Sequence, residues 1–267
     1  MTAYDFANSD VPVVLSMASS DSGAGSGVQA DLKTFSVLDV FGTCAITAVT
    51  AQTPRDLRHI HPVPRDVLMQ QIQAVSDDFP ISAAKTGMLP TADLVEAVCI
   101  ADDESGIPIL VVDPRMVSHH GTRLMEPDAV ALLKSELLPR ARVVTPNVHE
   151  AEILAGFPIA GQEDLQIAAE KISSEFQVAC VAKGGDLQGN TVVDVLVDEG
   201  ELHLFEHERI PTENTHGAGC TFSAALTANI AKGMLLPDAV REARDLVTSA
   251  LSKALQIGPH HPLHLSF

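Results

Sequence analysis

The chain has 267 residues, a formal net charge of −18, no tryptophan and one tyrosine. That charge repels a polyanion, and neither a basic run nor an aromatic stacking surface offsets it, so nucleic-acid binding is excluded. With 46% apolar residues the chain can bury a large core, and its dispersed acidic side chains read as a solubility feature.

In chain order, Val11 to Met17 reads as a short buried strand running into a polar, glycine-rich loop from Ala18 to Gly27. Val28, Leu32, Phe35 and Leu38 then recur at helical spacing, with Asp31 and Lys33 on other faces. Thr43 to Val49 is a second strand, ending in Thr50-Ala51-Gln52-Thr53-Pro54, and Pro64 opens a helix whose stripe is Val67, Leu68, Ile72, Val75 and Phe79. Ala83 to Leu89 is a strand edge and turn, followed by a helix from Thr91 to about Ile100. The β-branched run Ile107 to Val112 stops at Asp113-Pro114, and a helix spans about Pro127 to Leu138. Ala141 to Thr145 is a strand stopped by Pro146, Asn147 caps a helix bearing Glu150 and Glu152, and a further helix covers Asp164 to Phe176. Val178 to Ala182 is a strand ending in Lys183-Gly184-Gly185. Thr191 to Val197 and Glu201 to Phe205 flank Asp198-Glu199-Gly200, a hairpin signal. Two helices close the chain, the second from about Asp238 to Leu255.

Repeated βα units predict an α/β fold, a mainly parallel sheet covered by helices on both faces. No repeat, linker or low-complexity segment divides the chain, so residues 1–267 are expected to form one domain. Cys44, Cys99, Cys180 and Cys220 form no CxxC pair, no secretory signal opens the sequence, and no apolar run reaches the roughly 18 residues of a membrane helix. A soluble, cytoplasmic protein with reduced thiols is expected.

In such a sheet, ligands sit at the carboxyl ends of the strands. Polar residues collect there: Asp21, Gln52, Asp113, Asn147, Glu150 and Lys183, together with Met88. The stretch Asn214-Thr215-His216-Gly217-Ala218-Gly219-Cys220-Thr221-Phe222-Ser223 is a glycine turn entering a helix. Such a turn directs backbone N–H groups and the positive end of the helix dipole at one place, which suits a phosphoryl group. It also lowers the titration of a thiol placed there, so Cys220 is expected to form a thiolate at modest cost. A plain packing turn with a half-buried cysteine is the alternative reading. Asp113 and Glu150 suit Mg²⁺, which takes carboxylates with phosphate oxygens and water; each also reads as a turn residue or a first-turn helix acid. Gly23-Ala24-Gly25-Ser26-Gly27 has the wrong spacing for a dinucleotide fingerprint, and no Gly-Lys pair exists to build a P-loop. The His119/His120 and His260/His261/His264 groups lack metal-site spacing and read as solvated loop residues.

Five motifs in order resemble the hydroxymethylpyrimidine/phosphomethylpyrimidine kinases of thiamine biosynthesis, within the ribokinase-like superfamily. They are Val28-Gln29-Ala30-Asp31-Leu32-Lys33-Thr34-Phe35, Lys85-Thr86-Gly87-Met88-Leu89, Thr145-Pro146-Asn147-x-x-Glu150-Ala151, Lys183-Gly184-Gly185 and Thr215-His216-Gly217-Ala218-Gly219-Cys220-Thr221. The resemblance implies a three-layer α/β/α sandwich that uses ATP and Mg²⁺ to phosphorylate 4-amino-5-hydroxymethyl-2-methylpyrimidine and then its monophosphate. It implies Cys220 as base and the amides of Gly217, Ala218, Gly219 and Cys220 as the cradle for the moving phosphoryl group. Lys183, Glu150, Asn147 and Gly219 would face ATP, Asp113 and Glu150 the metal, and Gln52, Asp31, Ser26, Ser19 and Met88 the substrate. It also implies a homodimer.

Pyridoxal kinases of the same branch share the Lys85–Leu89 and Thr215–Ser223 motifs, which makes a pyridoxal or pyridoxine kinase the alternative; a silent ligand-binding relative is the third reading. The glutamine position favours the pyrimidine. The chain departs from the family's pattern at Ser19, Ser26 and Thr50, and at Arg115-Met116 with His119 in place of a lysine.

Overall fold

The structure is a computed structural model that describes residues 11–117, 122–212, 215–258, 260 and 262–265. His119, His120, Asn214 and His261 lie outside the described residues. Among the described residues nine strands form one sheet: β1 (Val13–Asp21), β2 (Phe41–Thr53), β3 (Asp56–Pro62), β4 (Ile81–Thr86), β5 (Leu110–Val112), β6 (Val143–Val144), β7 (Ala179–Ala182), β8 (Thr191–Asp198) and β9 (Glu201–Glu208). Their spatial order is β3-β2-β1-β4-β5-β6-β7-β8-β9. The six strands from β2 to β7 in that order are mutually parallel, and an antiparallel strand or pair finishes each side. The sheet is the mainly parallel one expected of an α/β fold.

Helices cover both faces. α2 (Arg65–Asp78), α3 (Ala92–Ser105), α4 (Pro127–Leu132), α5 (Val148–Ala155) and α6 (Gln162–Phe176) pack on one side; α1 (Gly27–Val37), α7 (Ala218–Ala231) and α8 (Leu236–Ser252) pack on the other. Strand alternation divides the core between them. Leu110 and Val112 face the first group, and Val111 between them faces the second. α7 is buried from Cys220 to Ile230, as a helix with apolar residues all round must be. It is the central helix, wedged between α1 and α8.

Three local differences have physical causes. β1 continues through Ser19 and Ser20 to Asp21 because β2 pairs with it there beyond a register shift. β3 lacks apolar alternation, with Arg58, His59 and His61 exposed on an edge strand, so the hairpin it makes with β2 leaves little trace in the sequence. The helix expected over Pro127 to Leu138 is α-helical only to Leu132; it widens into a π-turn and then tightens into a 3₁₀ turn at Leu138–Arg140, where Pro139 has no N–H to continue the α-helical ladder. The second hairpin is as expected. Glu199 and Gly200 both have positive φ (51° and 84°), the two-residue turn that matches strand twist.

The chain leaves β1 for β2 on one side and later returns to place β4 on the other, so the strand order reverses at β1/β4. A crevice opens beyond the carboxyl ends at such a point. Among the described residues, no helix is long and apolar enough to cross a membrane.

Candidate active site

A cleft of about 1260 Å³ runs along the carboxyl ends of the strands, from the β2–β3 hairpin past β1/β4 to the β7–β8 loop. At the hairpin end its wall includes Ser19, Ser26, Gln52, Met88 and Leu124. Gln52 lies at a bulge between β2 and β3, a device that re-aims a side chain. Its backbone is fixed by Ser22: the Gln52 N–H donates to Ser22 Oγ, and that hydroxyl donates to the Gln52 carbonyl, both at 2.8 Å. Met88 packs with Ala48 and Leu124 as an apolar floor.

The departures at Ser26 and Thr50 are tied into the frame. Ser26 Oγ donates to Asp21 Oδ2 (2.9 Å), and Thr50 Oγ1 donates to the Ser20 carbonyl (2.9 Å). Of the three serine and threonine departures, Ser19 alone has no such bond among the described residues and lines the cleft. Asp21 organises this end. It accepts N–H groups from Gly23 (2.8 Å), Gly25 (3.1 Å) and Ser26 (2.8 Å), and His216 Nε2 lies 3.0 Å from its Oδ2. Burial alone would raise its pKa; the bonds from His216, Gly23 and Ser26 outweigh that and hold it below the usual carboxylate range. The His216 contact joins the loop after β1 to the turn before α7.

That turn is the anion end. Gly217 caps α7 at φ 89°, and a Cβ there would overlap the Gly25 carbonyl, so only glycine fits. Ala218 N–H donates to the Thr215 carbonyl (3.0 Å), which removes it from the expected cradle. The N–H groups of Gly217, Gly219 and Cys220 have no acceptor among the described residues. Three cationic side chains reach the cleft beside them: Lys85, Arg115 and Lys183. A Cβ on Gly219 would stand 3.6 Å from Lys183 Nζ and 3.7 Å from an Arg115 guanidinium nitrogen, so the two cations flank that residue.

Acids stand behind the wall. Asp31, expected at the substrate, does not line the cleft: it is fully buried, accepts from Lys85 Nζ (2.9 Å) and Ser16 Oγ (2.6 Å), and acts through Lys85. Burial pulls Lys85 toward neutrality, but Asp31, Cys220 and Asp113 reverse this and keep it protonated. Asp113 lies 3.6 Å from Lys183 Nζ and 3.2 Å from Ser223 Oγ. Asn147 and Glu150 form a capping box on α5: Glu150 N–H donates to Asn147 Oδ1 (2.8 Å), and Asn147 N–H donates to Glu150 Oε2 (3.0 Å). Asn147 lines the cleft and Glu150 does not. Asp113 Oδ1 and Glu150 Oε1 are buried without a hydrogen bond, as are the Thr86 and Thr145 hydroxyls. Buried orphan carboxylate oxygens suit a hard cation or its water shell. No three His, Cys, Asp or Glu side chains converge among the described residues, so an ion here needs phosphate oxygens and water to complete its shell.

Cys220 is placed as expected but titrates the other way. The thiol is buried in the cleft wall, and burial raises its pKa further than Arg115 and Lys85 lower it. At the far end Arg209 donates to the Gly185 and Gly189 carbonyls (2.8 and 2.7 Å), stapling the loop after β7 along the rim.

Sequence reasoning assigned no role to Asp21, Lys85, Arg115 or His216. The signals for two of them were present. An aspartate opening a glycine loop caps its own turn, and a lysine inside Ala83-Ala84-Lys85 must be buried with a partner.

A family model described as phosphomethylpyrimidine kinase matches residues 21–264. The hydroxymethylpyrimidine/phosphomethylpyrimidine kinase of Haemophilus influenzae is 44% identical over 95% of this chain and 96% of its own. The pyridoxine kinase of Bacillus subtilis is 36% identical over 92% of each chain. Among solved structures, the pyridoxal kinase of Staphylococcus aureus in complex with ADP superimposes with a TM-score of 0.89 at 33% identity, covering 96% of this chain and 94% of that one.

Proposed function

Since the chain belongs to the phosphomethylpyrimidine kinase family, we propose that its cleft transfers the γ-phosphoryl group of ATP to the hydroxymethyl group of 4-amino-5-hydroxymethyl-2-methylpyrimidine, and then to the resulting monophosphate. The observation that carries this reading is the meeting of N–H groups at the start of α7, which have no acceptor among the described residues, with Lys85, Arg115 and Lys183 in one cleft. Phosphoryl transfer asks a protein chiefly for positioning and charge neutralisation, and these groups supply both.

In this scheme Gln52 orients the aminopyrimidine, its amide matching a ring nitrogen beside an exocyclic amine. Met88 and Leu124 support the ring. Gly217, Gly219 and Cys220 donate to the moving phosphoryl oxygens, and Lys183 and Asn147 face the nucleotide. The bond to the acceptor oxygen forms as the bond from phosphorus to the β–γ bridging oxygen breaks, and the hydroxyl proton passes to the Cys220 thiolate. Asp113 and Glu150, whose Oδ1 and Oε1 carry no hydrogen bond, would hold Mg²⁺, which neutralises phosphate charge when bound.

The pyrimidine is favoured over pyridoxal by two features. Ser26 and Thr50, which make the loop unusual, have hydroxyls engaged with Asp21 and Ser20, and Gln52 lies on the cleft wall. A single kinase domain, a cytoplasmic location and a homodimer complete the proposal; the exposed Phe41 and its stacked neighbour Phe79 suit a subunit contact. Phosphorus NMR of the protein with Mg-ATP and the pyrimidine alcohol tests it. A phosphomonoester signal followed by a diphosphate is expected; unchanged ATP refutes the reading.

A further inference from the structure

Arg115 differs from its neighbours in the cleft. Lys85 is locked by Asp31 at 2.9 Å, and Lys183 stands 3.6 Å from Asp113 with its Nζ over the Phe222 ring. The Arg115 guanidinium has neither a hydrogen bond nor an ion pair among the described residues, yet it lines the cleft beside Gly219. Its backbone is strained to bring it there: φ is +41°, a left-handed conformation that disfavours an arginine. Pro114 and Met116 on either side are buried, and the Met116 carbonyl accepts from Leu124 N–H at 2.9 Å, so the turn is held firmly. Arg115 follows β5 and Lys183 follows β7, two strands further from the hairpin end of the cleft, so Arg115 stands toward the acceptor side of the transfer and Lys183 toward the nucleotide side.

The two proposed substrates differ there. The first acceptor is a neutral hydroxyl. The second is a phosphomonoester carrying close to two negative charges, which must approach the γ-phosphoryl group of ATP. Without an extra cation between them, like charges oppose the second transfer. We propose that Arg115 binds the phosphate of the monophosphate substrate through its planar donor fork, and so makes this cleft competent for the second phosphorylation. The inference rests on the proposed pyrimidine kinase activity and adds to it a residue that separates the two steps.

The test compares wild type, Arg115→Met, Arg115→Lys and Arg115→Gly with Mg-ATP, measuring kcat and KM for the pyrimidine alcohol and for its monophosphate. Glycine suits φ +41° and removes the charge without adding strain, so it guards against a folding failure. Met and Gly variants are expected to lose at least tenfold more kcat/KM with the monophosphate than with the alcohol, chiefly through KM, and Lys to recover part of that loss. Equal losses on both substrates would place Arg115 on the γ-phosphoryl group and overturn the inference, as would no loss on either. A wild type that phosphorylates the alcohol but not the monophosphate also overturns it. A wild type that acts on neither substrate overturns the kinase reading itself.

Discussion

Cys220 shows how one side chain answers to two opposed fields. The start of α7 and the cations Arg115 and Lys85 favour the thiolate; burial favours the thiol, and burial prevails. The working form of a base is the deprotonated one. With the pKa raised, the thiolate is a minority near neutrality and grows as pH rises. The first transfer is therefore expected to speed up with pH from neutral into the alkaline range, by close to tenfold per pH unit until the thiol titrates. Cys220→Ala should lower kcat by about 10²–10⁴-fold, the ordinary reach of general-base catalysis, and flatten the profile. Cys220→Asp, whose carboxyl starts from a far lower intrinsic pKa than a thiol, should shift the profile toward lower pH while keeping more activity than alanine. A pH–kcat profile of wild type that stays flat, or an alanine variant that keeps the wild-type slope, removes Cys220 from the proton's path.

Elements set how far such residues could be read in advance. Asn147 followed three positions later by Glu150 announced the start of α5, and the capping box is there, because a cap needs only local spacing. The exposed edge strand β3 gave no signal, because its partner was the only reason for it to be a strand. Asp31 was legible as part of a motif, but its position was not: whether a helix residue reaches the ligand or stands behind it depends on how α1 packs on β1 and β4. It joins α1 to β4 through a buried ion pair with Lys85. Removing one partner of such a pair leaves an uncompensated buried charge at a cost of about 3–5 kcal/mol, whereas replacing both with apolar groups is often neutral. Asp31→Asn is thus expected to lower stability by that order in urea unfolding, and adding Lys85→Met to recover most of it without restoring activity. A single variant as stable as wild type contradicts the pairing.

On the scale of the whole molecule, the βα rhythm made the sheet legible, and the reversal of strand order at β1/β4 explains why residues from distant parts of the chain meet. His216 reaches Asp21 across 195 positions, a contact that no spacing rule contains. The cleft runs from the β2–β3 hairpin to the β7–β8 loop, and Gly217 to Cys220 at the start of α7 line it between those ends. The fold is common to pyrimidine and pyridoxal kinases, so it leaves the acceptor to be decided by the hairpin end, where Gln52 faces the cleft and the polar departures are turned into the frame.

The most direct measurement is a steady-state comparison with Mg-ATP of the hydroxymethylpyrimidine, its monophosphate and pyridoxal, each by kcat/KM. Higher values for both pyrimidines than for pyridoxal are predicted. A preference for pyridoxal would contradict the account, because Ser19 and the loop around it would then outweigh Gln52 in selecting the acceptor.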